Sequence, residues 1–391
     1  MSEQHPGLRD RPIYLDYNAT TPIDPQVFAA MTPYLTVEFG NPSSDHAYGQ
    51  SAHRAMDQAR SAVAALVGAA ASEIIFTGSG SEADALAIRG AVLAARAAGT
   101  DHPHVITQVT EHPAVLAACR DLEVLHHVAV TYLPVDATGR VDPGAVEAAM
   151  TPDTVLVSIM HANNETGTIQ AIADIATITR ARGILLHTDA AQSVGKITVD
   201  VDDLGVDLLT VVGHKMYAPK GIAALYVRTG VHLHPVVAGG GQEHGLRAGT
   251  ENVAYAVGLG RAADLAVQAL AGGETARLTA LRDLLEQRLR DHLPGRVHLN
   301  GHPTERLPNT LNVRITGAPA LALLDAMPAV AASAGSACHA GRDEPSPVLT
   351  AMGLHRQDAL SALRLSLGRW STSREIEAAA AAIAIATPGP S

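Results

Sequence analysis

The stretch GHKMYAPKG sets Lys215 just past the apolar run LLTVV, with His214 before it and a Gly/Pro turn after it. An amine held between stiff backbone segments and partly desolvated by such a run is nucleophilic near neutral pH and suited to form an imine; the plain alternative is a surface lysine in a turn. Only three lysines occur, and Lys196 and Lys220 do not fit the imine position and are expected to be dispensable. Asp189 in HTDAAQSVG ends another apolar run, where a carboxylate is costly without a cation. A protonated pyridine nitrogen is such a cation, and an acid beside it makes the ring an electron sink; a turn or helix cap is the ordinary use of the same residue. TGSGSE offers small residues, backbone N–H groups and the positive end of a helix, a cradle for a phosphate. His112 in TEHPAV could stack on an aromatic ring, and Asn164 in HANNETG could donate to a ring oxygen or a substrate carboxylate; capped loops and turns use the same residue types.

These residues need a scaffold that brings distant segments together. From about Ser72 to Val227, strand-length apolar runs alternate with helical patterns, the signature of an α/β domain with a mostly parallel sheet. Each run ends in polar residues at its carboxyl end. Ligands bind at that edge of open α/β sheets, so the loops are expected to converge on one crevice. The boundaries we expect are an N-terminal segment 1–23 packing on the small domain, a large cofactor-binding domain 24–261, and a smaller α+β domain 262–391.

The chain has 391 residues, 47% of them hydrophobic, which suits a large buried core. Its net charge is −11, and no Lys/Arg cluster interleaved with aromatics is present, so nucleic acid is not an expected direct ligand. The opening MSEQHPGLRDRPIY is polar and no apolar run reaches bilayer length, so a cytoplasmic protein without a membrane partner is expected. Two cysteines, Cys119 and Cys338, are too few and too ill-placed for a disulfide framework or a metal knuckle, and no metal is expected.

In this order, Thr77 to Glu82, Glu111-His112, Asn163 to Glu165, Asp189 to Gln192, Gly213 to Lys215 and Arg247 to Thr250 resemble the cysteine desulfurases of the class V aminotransferase group. YLDYNATTPIDP, GNPSSDHAYG and SLGRWST extend the likeness to nearly the whole chain. The resemblance implies a pyridoxal-phosphate transferase fold of the aspartate aminotransferase type, with pyridoxal 5'-phosphate bound through Lys215. It further implies that Asp189 pairs with the pyridine nitrogen, Gln192 supports the phenolic oxygen and His112 covers the ring. Gly80, Ser81, His214 and a neighbouring subunit's Thr250 would bind the phosphate, which makes a homodimer the expected assembly. Arg364 would hold the substrate carboxylate with help from Asn164. Val212 departs from the pattern, standing where many desulfurases carry a phosphate-binding serine.

Cys338 lies in SAGSACHAGRDEPSPVL, a stretch of small residues and turn formers with little to bury, so an exposed loop thiol is expected. Cys119, inside the helical pattern AVLAACRDL, reads as a buried inert thiol. By resemblance Cys338 takes sulfur from L-cysteine as a persulfide and passes it to an acceptor protein, as in iron-sulfur cluster assembly. TVVGHK, GGGQEHGLRAGTEN and SACHAGRDEPSPVL also look like selenocysteine lyases, so release of selenium from L-selenocysteine is the alternative, with an aminotransferase on the same scaffold third.

Overall fold

The computed structural model describes residues 4–335 and 344–389. Twelve strands form three sheets among the described residues: β1 Ile13–Tyr14, β2 Ile74–Thr77, β3 His104–Gln108, β4 Ala129–Leu133, β5 Thr154–Ser158, β6 Leu185–Asp189, β7 Leu208–Val212, β8 Ala223–Val227, β9 Val297–Leu299, β10 Thr310–Ile315, β11 Val330–Ala331 and β12 Ala362–Ser366.

Seven of them make the main sheet, in the order β2-β8-β7-β6-β5-β3-β4. Strands β7, β6, β5, β3 and β4 pair in parallel, and β8 is antiparallel to both β7 and β2. Six strands therefore point one way, and β8 enters from the edge where the others leave. Every residue of β2, β3, β7 and β8 is buried, as expected of strands covered on both faces, and this explains the mostly apolar sequences of β2, β7 and β8. One face packs on a core that includes the helices Ala47–Val67 and Val253–Ala271, and the other on the helices Gly80–Ala97 and Pro113–His126. The fold is α/β with a mostly parallel sheet.

A second core lies around the antiparallel sheet β12-β10-β9 and the helices Glu274–His292 and Ser373–Ala386. The N-terminal segment joins this core: β1 pairs in parallel with β11, and Leu15 is fully buried among its leucines. The helix Val253–Ala271 carries Ala262, Ala263, Leu265 and Ala266 into the first core, past residue 261. Gly272 and Gly273 then separate it from Glu274–His292, whose leucines face the second core.

Candidate active site

The carboxyl ends of β2, β3, β5, β6 and β7 open onto a cavity of about 400 Å³. Gly80, Ser81, His112, Asn164, Asp189, Gln192, Val212, His214, Lys215 and Arg364 all line it, although as much as 284 residues of sequence separate them (364 minus 80). Strand polarity accounts for the convergence of all but Arg364, since six strands of the main sheet deliver their following loops to one edge, while Arg364 reaches it from β12 of the second sheet. Gly221 and Ile222 reach the same edge because they precede the reversed strand β8.

Lys215 sits in the single 3-10 turn that follows β7. Its Nζ donates to the backbone oxygens of Asn18 at 2.6 Å and Ala19 at 2.9 Å. The backbone just beyond is tightly bent, with Tyr217 at φ 69°, in the left-handed region that costs a bulky residue energy. His214 bonds Thr20 Oγ1 at 3.1 Å, and burial, followed by the nearby Lys215, lowers its pKa to about 4. The imidazole is thus neutral near pH 7 and free to donate or accept.

Asp189 is buried at the end of β6, where Oδ1 accepts from Ala191 N at 2.9 Å. Burial raises its pKa, while His112 and Lys215 oppose the rise. His112 caps the helix Pro113–His126, its Nδ1 accepting from Ala114 N at 3.2 Å, and burial lowers its pKa. A buried carboxylate facing a cavity next to an imidazole fits a cationic heterocycle better than solvent. Opposite, Ser79 caps the helix Gly80–Ala97, so the first free N–H groups of that helix are presented at Gly80 and Ser81. Val212 packs against this helix start: a Cβ on Gly80 would come within 2.5 Å of Val212 Cγ2, so glycine is required there. Amine, acid, imidazole and helix end match the reactive carbon, ring nitrogen, ring face and phosphate of pyridoxal phosphate.

Arg364, on β12, is 1% exposed, donating to Asn164 O at 3.1 Å and to Asp16 Oδ1 at 2.7 Å. Its Nε has no hydrogen-bond partner among the described residues. Thr250 is exposed and does not line its own chain's cavity. Cys338 lies outside the described residues.

Two residues to which sequence reasoning gave no part in the site prove central to it. Asn18 is buried, and its side chain links Asn164 O, Thr310 Oγ1 and Asn309 Nδ2 while its carbonyl receives Gln192 Nε2 and Lys215 Nζ. Lys196, expected to be dispensable, is buried and donates to Gln192 Oε1 at 2.8 Å. That bond fixes which end of the Gln192 amide is the donor, leaving one of its two N–H groups for the cavity after Asn18. Lys220 is exposed at the cavity rim. The only signal for Asn18 was its place in YLDYNATTPIDP; for Lys196 it was a lysine four residues after Gln192.

The seven-stranded sheet and the groups gathered at its edge are those of a pyridoxal-phosphate enzyme with an aminotransferase-like fold. More narrowly, the chain belongs to the aminotransferase class-V family, which matches residues 13–379. It is 47% identical over 369 residues to a cysteine desulfurase IscS of Anaeromyxobacter dehalogenans (strain 2CP-C), covering 94% of this chain and 90% of the relative. A cysteine desulfurase of Trichormus azollae is 48% identical over 370 residues, covering 93% and 90%. Among solved structures, a NifS-like protein superposes with TM-score 0.87 at 34% identity, covering 96% of this chain and 98% of that one. A structure described as SspA in complex with cysteine gives TM-score 0.79 at 38% identity, covering 91% and 98%.

Proposed function

We propose that the protein is a cysteine desulfurase that converts L-cysteine to L-alanine and transfers the sulfur to Cys338. The convergence of Lys215, Asp189, His112 and the helix start at Gly80 on one cavity carries this reading, in a chain whose similar relatives bear that name. The relatives named as desulfurases favour this activity over selenocysteine lyase. Bound pyridoxal phosphate supplies an electron sink for the electrons released at the substrate Cα. Lys215 Nζ holds the cofactor and, once the substrate amine replaces it, carries the Cα proton. Asp189 holds a proton on the ring nitrogen, and His112 covers the ring face. Gln192 donates toward the phenolic oxygen, held in register by Lys196. Backbone N–H groups at Gly80 and Ser81, with neutral His214, bind the phosphate, and Thr250 of a second copy completes that site in a homodimer. Arg364 takes the substrate carboxylate with Asn164 beside it.

At the sulfur, the Cys338 thiolate forms an S–S bond as the substrate Cβ–S bond breaks, leaving alanine and a persulfide for an acceptor protein. Among the described residues no helix is long and apolar enough to cross a membrane, and we place the protein in the cytoplasm. We also place the boundary between its two domains at Gly272–Gly273 in preference to residue 262. Incubation of the purified, cofactor-loaded protein with L-cysteine and a reductant is expected to yield alanine and sulfide in equal amounts. Formation of pyruvate or a keto acid without sulfide would overturn the assignment.

A further inference from the structure

Asp84 is a second buried acid at the cavity, on the inward side of the helix Gly80–Ala97 beside Ala83 and Ala87, and only 2% exposed. One of its oxygens, a ring nitrogen of His112 and an oxygen of Asp189 all lie within 4.8 Å of one another. Its Oδ1 has no hydrogen-bond partner among the described residues; His187 Nε2 is 3.8 Å away.

The groups packed around Asp84 decide its charge. His187 on β6 bonds Ser158 Oγ at 2.8 Å and Thr210 Oγ1 at 3.2 Å, and total burial lowers its pKa to about 3, so it brings no positive charge. Burial opposes a negative charge on Asp84 most, followed by Asp189 from the end of β6 and, once ionised above about pH 8, by Glu111 from the turn after β3; the Thr210 hydroxyl favours one. Asp189 is better served, with the Ala191 N–H, His112 and Lys215 all favouring its ionised form. Two carboxylates this close in a dry site do not both ionise, and the proton goes to the one with fewer supporters.

We propose that Asp84 is a positioning residue that works as an uncharged acid, its hydroxyl turned toward Asp189 so that the one negative charge of the cavity floor stays on the carboxylate facing the cofactor. This rests on the reading of Asp189 as the partner of the ring nitrogen.

The test measures the dissociation constant for pyridoxal phosphate, from the visible absorbance of the bound cofactor, in wild type and in Asp84→Asn, Asp84→Ala and Asp189→Asn. Asparagine matches the neutral acid in shape and keeps a donor, so Asp84→Asn is expected to stay within about twofold of wild type in cofactor affinity and in the pH midpoint of the absorbance. Alanine removes the donor to a charged acceptor, and roughly ten- to a hundredfold weaker binding is expected. An Asp84→Asn protein as impaired as Asp84→Ala would mean that the ionised form is needed and would overturn the proposal. Wild-type binding by Asp84→Ala would overturn it as well. Should the alanine variant not fold, Asp84→Asn decides alone: tenfold weaker binding refutes the neutral acid. Wild-type binding and absorbance in Asp189→Asn would instead sink the underlying reading of Asp189.

Discussion

Glu111 offers a quantitative test of the electrostatics behind the cavity. It is buried next to His112, with Oε1 accepting from Met160 N at 2.6 Å and from Gln108 Nε2 at 3.0 Å, and Oε2 without a partner among the described residues. Burial raises its pKa from 4.5 to about 8, with Asp189 adding to the rise and the two hydrogen bonds opposing it. Because the folded value lies above the unfolded one, the folded protein holds a proton that the unfolded chain releases between those limits. Stability from this residue is therefore complete below pH 4.5 and is lost as pH rises through about 8. The slope is about 1.4 kcal/mol per pH unit, so roughly 3 kcal/mol is gone by pH 7. Glu111→Gln keeps the acceptor oxygen and does not titrate. Relative to wild type, the variant should gain little at pH 5 and about 3 kcal/mol at pH 7, levelling off at about 4–5 kcal/mol beyond pH 8. Urea unfolding of the cofactor-free proteins at four pH values, followed by far-ultraviolet circular dichroism, measures the difference without the binding term. Any fixed offset from the new amide is independent of pH, so the slope carries the test. A flat difference, or one that favours wild type as pH rises, refutes a buried neutral Glu111.

Lys215→Ala should abolish the visible band of the bound cofactor and lower alanine formation by about a thousandfold or more, with circular dichroism unchanged. Cys338→Ser should stop alanine formation from L-cysteine, and mass spectrometry of wild type after one turnover should find the added sulfur on Cys338. Cys119 should carry none, because burial in the helix Pro113–His126 raises its thiol to about 12 and keeps it protonated. Lys196→Met removes the donor that orients Gln192; equilibrium titration should show cofactor binding about tenfold weaker with the fold retained, the value of one hydrogen bond.

The layered fold was legible because its signals are local. Continuous apolar runs such as LLTVV and the capped turn in TGSGSE report buried parallel strands and helix starts without any knowledge of neighbours. The candidate site was legible to the extent that strand polarity sends strand-end residues to one edge, which covered His112, Asp189 and Lys215. Contacts that cross the chain were not. Asn18 reaches Lys215 over 197 residues and Asn309 over 291, and no spacing rule connects such positions. Asp84 left a fainter trace, an acid on the inward side of an apolar helix, in SEADALAI.

The three lysines show why residue type and scarcity alone could not assign roles. Lys220 is exposed at the rim. Burial lowers the pKa of Lys196 well below the ordinary lysine value, with Lys215 and Arg364 pressing the same way, so an ammonium there is disfavoured and the amine is left as a donor to Gln192. Lys215 stands between these extremes, half-buried at the cavity with two backbone carbonyls of the N-terminal segment around its Nζ. Those carbonyls hold the amine in place at the cavity. Changing the path of that segment, for example by Asn18→Ala, should disturb the lysine more than any substitution at Lys220, and the visible absorbance of the bound cofactor reports the difference.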